Sequence, residues 1–172
     1  MLRDELPKIK TAQLPGPKAA EIIERRKNIV PNAIRCVYPC VMAKAEGAII
    51  EDVDGNYFLD WIGGVGVLNV GHTNPALVEA VKKQAEKYFH GMFNVVTHEG
   101  YIELAEKLAA VAPIKEDEKK VMFANSGAEA NECAIKLARK YSFNKYGEGR
   151  GTILSLKQSF HGRTLATLTA TG

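Results

Sequence analysis

The stretch from Val121 to Arg139, VMFANSGAEANECAIKLAR, constrains the fold of this chain most. A short apolar run leads into a small-residue turn, and a helical pattern follows with Ala130, Cys133, Ala134, Leu137 and Tyr141 recurring on one inward face. A glycine-rich break, GEGRG, precedes a second apolar run at Thr152–Leu156. Strand Val121–Ala124, a helix to about Tyr146 and strand Thr152–Leu156 form a βαβ unit. Two strands joined by one helix imply a parallel sheet, whose ligands bind beyond the carboxyl ends of the strands. The expected class is α/β. Two parallel strands are too few for a stable open layer, and a further β-like run, ATLTATG, ends at Gly172, so the chain reads as truncated.

The turn itself has chemical content. The first N–H groups of a helix lack intrahelical partners and lie at the positive end of its dipole, which makes them a seat for an anion. Asn125 or Ser126 can cap the helix, Gly127 can take the φ values of a tight turn, and Ala128 leaves room for a ligand. A capped helix that binds nothing fits the same three residues, so other segments must decide.

Composition removes several classes of function. The net charge of +3 comes from 23 basic and 20 acidic residues spread along the chain, without the basic stripe that follows a nucleic-acid backbone. No segment approaches the roughly 18 apolar residues of a membrane span, and the N-terminus lacks the apolar core of a signal peptide. A cytoplasmic location is expected, with neither nucleic acid nor membrane as partner. Cys36, Cys40 and Cys133 are an odd number, in no CxxC pair, and read as reduced thiols with no metal site.

Residues 1 to about 35 form a Pro-punctuated basic arm with one helix from Pro17 to Arg26. The run AIIEDVDGNYFLDW has β-rich segments on both sides of Asp54-Gly55 and predicts a hairpin in a small antiparallel unit. Gly63 to Pro75, GGVGVLNVGHTNP, reads as a long loop. Amphipathic helices follow over Pro75 to about Phe89 and His98 to Val111, and the mixed-sign run Lys115–Lys120 reads as a solvated turn. The expected division is an arm and small-domain segment over 1–70 and the first part of a large domain over 71–172.

SFHGRT, after the second parallel strand, sets Phe160, His161 and Arg163 side by side. An aromatic ring can stack on a heteroaromatic ligand, and a guanidinium can grip a carboxylate through two parallel hydrogen bonds. Taken singly, each of these residues also fits a structural role.

GGVGVLNVGHTNP, NSGAEANECAIKLAR and SFHGRT, in this order and spacing, resemble the class III, fold-type I pyridoxal-phosphate aminotransferases, among them 4-aminobutyrate, ornithine and acetylornithine aminotransferases. The similarity runs from about Pro31 to Gly172. It implies a small antiparallel unit plus the start of a mostly parallel α/β/α large domain. It also implies that Ser126, Gly127 and Ala128 hold the phosphate of pyridoxal 5'-phosphate, with Phe160 stacking on its ring and His161 beside it. By the same resemblance Arg163 binds a substrate carboxylate, and Val65 lines the substrate pocket. Glu129 and Glu132 match family acids, which should turn away from a phosphate and serve the helix.

The resemblance implies transfer of an amino group from a 4-aminobutyrate- or ornithine-like amino acid to a 2-oxo acid, in a homodimer. The family's Schiff-base lysine and the aspartate facing its pyridine nitrogen match no residue here and are expected downstream; none of the sixteen lysines sits in that context. No catalytic residue is therefore assigned in this chain. Racemases, aminomutases and decarboxylases share the scaffold and stay open as alternatives, as does a non-catalytic fragment or split-enzyme half. A P-loop is excluded, because GxxxxGK[ST] does not occur.

Overall fold

The computed structural model describes all residues from Met1 to Gly172, and they form two compact units, Met1–His90 and Gly91–Gly172. No helix is long and apolar enough to cross a membrane.

The first unit is built around a three-stranded antiparallel sheet, β1 (Met42–Glu46), β2 (Ile49–Asp52) and β3 (Tyr57–Leu59), in the order β1-β2-β3. The hairpin expected at Asp54-Gly55 joins β2 to β3, with Ile50 opposite Phe58 and Gly55 at φ 83°. Its turn is held by a buried polar pair rather than by apolar packing. Asp52 Oδ1 accepts from the Asn56 backbone N–H at 2.8 Å, and Oδ2 accepts from the Asn56 side-chain amide at 2.8 Å. The other end of the Asn56 amide accepts from the N–H groups of Lys10 and Thr11, which ties the N-terminal arm to the hairpin. Helix α1 (Pro17–Ile29) runs three residues beyond the expected end at Arg26. Its first turn is capped by Asp54, which accepts from the N–H groups of Lys18 and Ala19 at 2.9 Å each. Gly16 permits that approach, since a Cβ there would lie 2.5 Å from the Asp54 carboxyl carbon.

The expected loop from Gly63 to Pro75 contains a single helical turn, α2 (Gly63–Gly66), closed by i to i−4 hydrogen bonds from Gly66 to Ile62 and from Val67 to Gly63. Its four residues all have positive φ: 53° at Gly63, 65° at Gly64, 61° at Val65 and 78° at Gly66. Three glycines adopt this hand freely, whereas a β-branched residue is strained there by roughly 1–2 kcal/mol. Helix α3 (Pro75–Ala85) follows, with the Asn74 side chain as its cap, and ends four residues before the expected Phe89.

The second unit contains α4 (Glu99–Val111), α5 (Gly127–Tyr146) and α6 (Leu165–Ala170). His98 is the N-cap of α4 rather than its first residue. The two expected parallel strands are not formed as a ladder: Val121–Ala124 and Thr152–Leu156 pair with no strand. A strand exists only where a neighbour some 4.8 Å away takes its N–H and C=O groups, and neither segment has such a neighbour. Phe123 instead donates its N–H to the Tyr101 hydroxyl of α4 at 3.1 Å, beneath an aromatic cluster in which Phe93 stacks on Tyr101 at 3.8 Å. The α5 stripe is likewise not inward, since Ala130, Ala134, Leu137 and Tyr141 are exposed and only Cys133 is half-covered, against Met122. No sheet layer lies beneath that face. The β-like run at the C-terminus is helix α6, in which the threonine hydroxyls bond back within the turn: Thr169 donates to Leu165 and Thr171 to Thr167.

The apolar core is correspondingly small. Ala19 and Ile49 are its only fully buried hydrophobic residues. The chain leaves 14115 Å² of surface accessible, against about 8300 Å² for a folded monomer of its mass.

Candidate functional site

Ser126 is the N-cap of α5, and its hydroxyl accepts from the Glu129 N–H at 3.4 Å. Glu129 completes a reciprocal arrangement by folding back to accept from the Asn125 N–H at 2.7 Å. Ser126 rather than Asn125 is the cap, and the Glu129 carboxylate is engaged on the N-terminal side of the turn. The backbone N–H groups of Gly127 and Ala128 stay without an acceptor, as the first donors of a helix must unless a side chain or ligand takes them. These donors lie at the positive end of a 20-residue helix, and a Cβ built on Gly127 meets nothing within 4 Å.

The SFHGRT segment is fastened to the first two turns of α5. Gly162 lies against Ala128 so tightly that a Cβ there would come within 2.7 Å of the Ala128 Cβ and of the Thr167 hydroxyl. Its φ of 134° is one that side chains other than hydrogen disfavour. On one side of Gly162, Asn131 donates its amide to the His161 carbonyl at 2.9 Å. On the other, Thr164 donates its hydroxyl to the Glu132 carboxylate. The His161 N–H reaches the Thr171 hydroxyl at 3.0 Å, so α6 closes the loop from behind.

This framework presents Phe160 and Arg163 to solvent. Phe160 is 65% exposed, and the Arg163 guanidinium lies 5.1 Å from its ring centroid. Arg163 makes no ion pair. The His161 ring is half-buried, with Nδ1 at 3.4 Å from the Ser159 hydroxyl. Thus Ser126, Gly127, Ala128, Phe160, His161 and Arg163 are brought together within one unit.

A family model for class-III aminotransferases matches residues 31–172. The chain belongs to the class-III aminotransferases. It is 51% identical over 135 residues to an acetylornithine aminotransferase of Caldanaerobacter subterraneus subsp. tengcongensis, covering 78% of this chain and 33% of that protein. It is 45% identical over 148 residues to a probable 4-aminobutyrate aminotransferase of Bacillus subtilis, covering 86% and 32% respectively. A crystal structure of a Bacillus anthracis aminotransferase superposes with a TM-score of 0.79 at 34% identity, over 93% of this chain and 35% of that one. The chain therefore spans about a third of the length of the class-III aminotransferases it matches.

Val65 lies in the first unit, within α2, and is 87% exposed. Asp60 and His72 bracket that turn. Asp60 Oδ1 accepts from the N–H groups of Ile62 at 3.0 Å and Gly63 at 2.9 Å, and Oδ2 lies 2.8 Å from His72 Nε2. The Gly63 N–H, followed by the His72 side chain, holds the Asp60 carboxyl below the usual carboxylate range. No motif or periodicity in the sequence marks Asp60, His72, Asn131, Glu132, Thr164 or Tyr101 as positioning residues. Only the Ser126-x-x-Glu129 spacing carried a direct signal, that of a capping box.

Proposed function

We propose that this chain supplies the cofactor-phosphate seat and the substrate-carboxylate grip of a pyridoxal-phosphate-dependent transaminase that moves an amino group from an amino acid to a 2-oxo acid. The observation that carries this reading is the pair of acceptor-free N–H groups at Gly127 and Ala128, held against Phe160–Arg163 by the Gly162–Ala128 contact. A phosphate fits there. It would take those N–H groups and the Ser126 hydroxyl, and the helix dipole favours its charge. Phe160, largely exposed beside the Arg163 guanidinium, suits stacking on a planar pyridine. When bound, pyridoxal phosphate supplies the electron sink that makes amino-group transfer possible.

The chain's own residues bind and orient. His161 steadies the backbone beside the ring through Asn131 and Thr171. Arg163, unpaired, suits a substrate carboxylate through a bidentate grip. The names of the relatives favour an acetylornithine-, ornithine- or 4-aminobutyrate-like amino donor, and Val65 is proposed to line its pocket. The family's covalent lysine matches no residue of this chain, so turnover requires that residue from elsewhere in the protein.

Equilibrium dialysis of this chain against pyridoxal phosphate and pyridoxal tests the seat: binding at least tenfold tighter for the phosphorylated form supports it, and equal binding refutes it. The reaction is tested by following amino transfer between these donors and 2-oxoglutarate in a protein where this chain is continued by the family's lysine-bearing segment. Absence of any transfer, with the cofactor bound, overturns the transaminase assignment in favour of a racemase, an aminomutase or a decarboxylase.

A further inference from the structure

The left-handed turn α2 holds a β-branched residue in a conformation that its own side chain opposes, and Val65 is exposed, so packing does not compensate. What fixes the turn lies at its two ends. The Asp60 N–H donates to Ala48 at 2.8 Å, and the His72 N–H donates to Gly47 at 2.8 Å while its carbonyl accepts from Gly47 at 3.0 Å. Both ends of the 61–71 loop are thereby bolted to the short connection between β1 and β2. Gly71 allows this, because a Cβ there would sit 2.9 Å from the Gly47 carbonyl oxygen.

Across the loop's mouth, the carboxylate of Asp60 receives the His72 ring at 2.8 Å, with the side chains only 8% and 15% exposed respectively. A carboxylate can only accept, so His72 Nε2 carries the hydrogen in this contact. The other Asp60 oxygen takes the N–H groups of Ile62 and Gly63, the two residues that open the left-handed turn. One carboxylate therefore links the end of the loop to the start of the turn.

We infer that Asp60 and His72 are a pair of positioning residues that clamp the Gly63–Gly66 turn and thereby fix Val65 as a substrate-selecting wall. The selecting role rests on the proposed pocket-lining place of Val65; the clamp itself does not. The pair touches neither substrate nor cofactor and acts only through the backbone between residues 62 and 67.

Hydrogen–deuterium exchange on this chain tests the clamp. His72→Ala should raise exchange at Gly66, Val67 and Leu68 by at least tenfold while the amides of β1, β2 and β3 change less than twofold, and His72→Gln, which retains a donor, should restore most of the protection. Unchanged loop exchange, or an equal rise across loop and sheet, overturns the clamp. In the protein completed by its lysine-bearing segment, His72→Ala should raise KM for the amino donor about tenfold with kcat held within twofold, and should shrink the preference between a long and a short donor. A KM that does not move while loop exchange rises overturns the selecting role. If the unmutated protein transfers no amino group while exchange behaves as stated, the transaminase reading fails and the clamp stands.

Discussion

Gly162 and Ala128 are in contact at a distance that excludes any side chain on Gly162, since its Cβ would lie 2.7 Å from that of Ala128. This contact sets the distance between the N-terminus of α5 and the Phe160–Arg163 segment. Gly162→Ala must shift one against the other and also occupy a φ of 134°. The expected cost is about 1–3 kcal/mol of stability, with pyridoxal phosphate binding weakened tenfold or more. Thermal unfolding and a cofactor titration measure the two effects; a variant with unchanged affinity would show that the two segments act independently.

Ser126 caps α5, and its proposed role as a phosphate ligand can be separated from that one. Ser126→Ala should cost about 1 kcal/mol through loss of the cap and also weaken cofactor binding. Ser126→Asp retains a capping oxygen and should hold stability within about 0.5 kcal/mol of the original, yet it places a negative charge where the phosphate would lie. Circular dichroism should therefore rank Asp above Ala, and dialysis against pyridoxal phosphate should rank Ala above Asp. The same order in both assays would contradict the seat.

Arg163 stands unpaired beside Phe160. In the completed protein, Arg163→Ala should weaken carboxylate substrates by about 2–5 kcal/mol, the range for truncating one partner of a desolvated charge pair. Arg163→Lys should recover only part, because an ammonium cannot match the two-point grip. Kinetics on a donor and its decarboxylated analogue provide the check: equal losses for both would remove Arg163 from carboxylate binding.

Acid should release the Asp60 contact. The folded carboxyl is held below its unfolded value, near 3.9, chiefly by the Gly63 N–H and then by His72. A depressed carboxyl stabilises the fold fully above the unfolded value and loses that contribution as pH falls through the folded one. The urea midpoint of the chain should thus be insensitive to this group from pH 7 to about 5 and decline below about 4. Fluorescence of Trp61, the only tryptophan and the neighbour of Asp60, reports the loop directly. Asp60→Asn should flatten this part of the acid limb; an unaltered limb would place the acid sensitivity elsewhere, for instance at Glu46, which Arg3 holds low.

Local chemistry was legible in the sequence wherever one short segment determines it. The hairpin at Asp54-Gly55, the start of α3 at Pro75 and the start of α5 at Gly127 follow from turn and cap residues alone. The grouping of Ser126–Ala128 with Phe160–Arg163 was expected from strand topology, although a different device produces it. Gly162 packing and the Asn131 and Glu132 side chains join the two segments without a ladder. Those side chains could not be found by periodicity, because their partners lie about thirty residues away. The α6 run was misread because β-branched threonines favour strands on average, while here each hydroxyl bonds back within the turn. The left-handed hand of Val65 has no sequence signature of its own beyond the glycines around it.

The Tyr101 hydroxyl has one more effect. By taking the Phe123 N–H, it occupies a donor on Val121–Ala124 that would otherwise be open to another chain. Thr152–Leu156 has no such guard. It is uncharged, rich in β-formers and free of strand partners, and its central leucine, Leu154, is 92% exposed. Exposed, unpaired backbone with β-forming side chains templates addition of a second copy. In concentrated solution the chain's first self-recognition should therefore begin at TILSL, and a lysine placed at Leu154 would act as its gatekeeper.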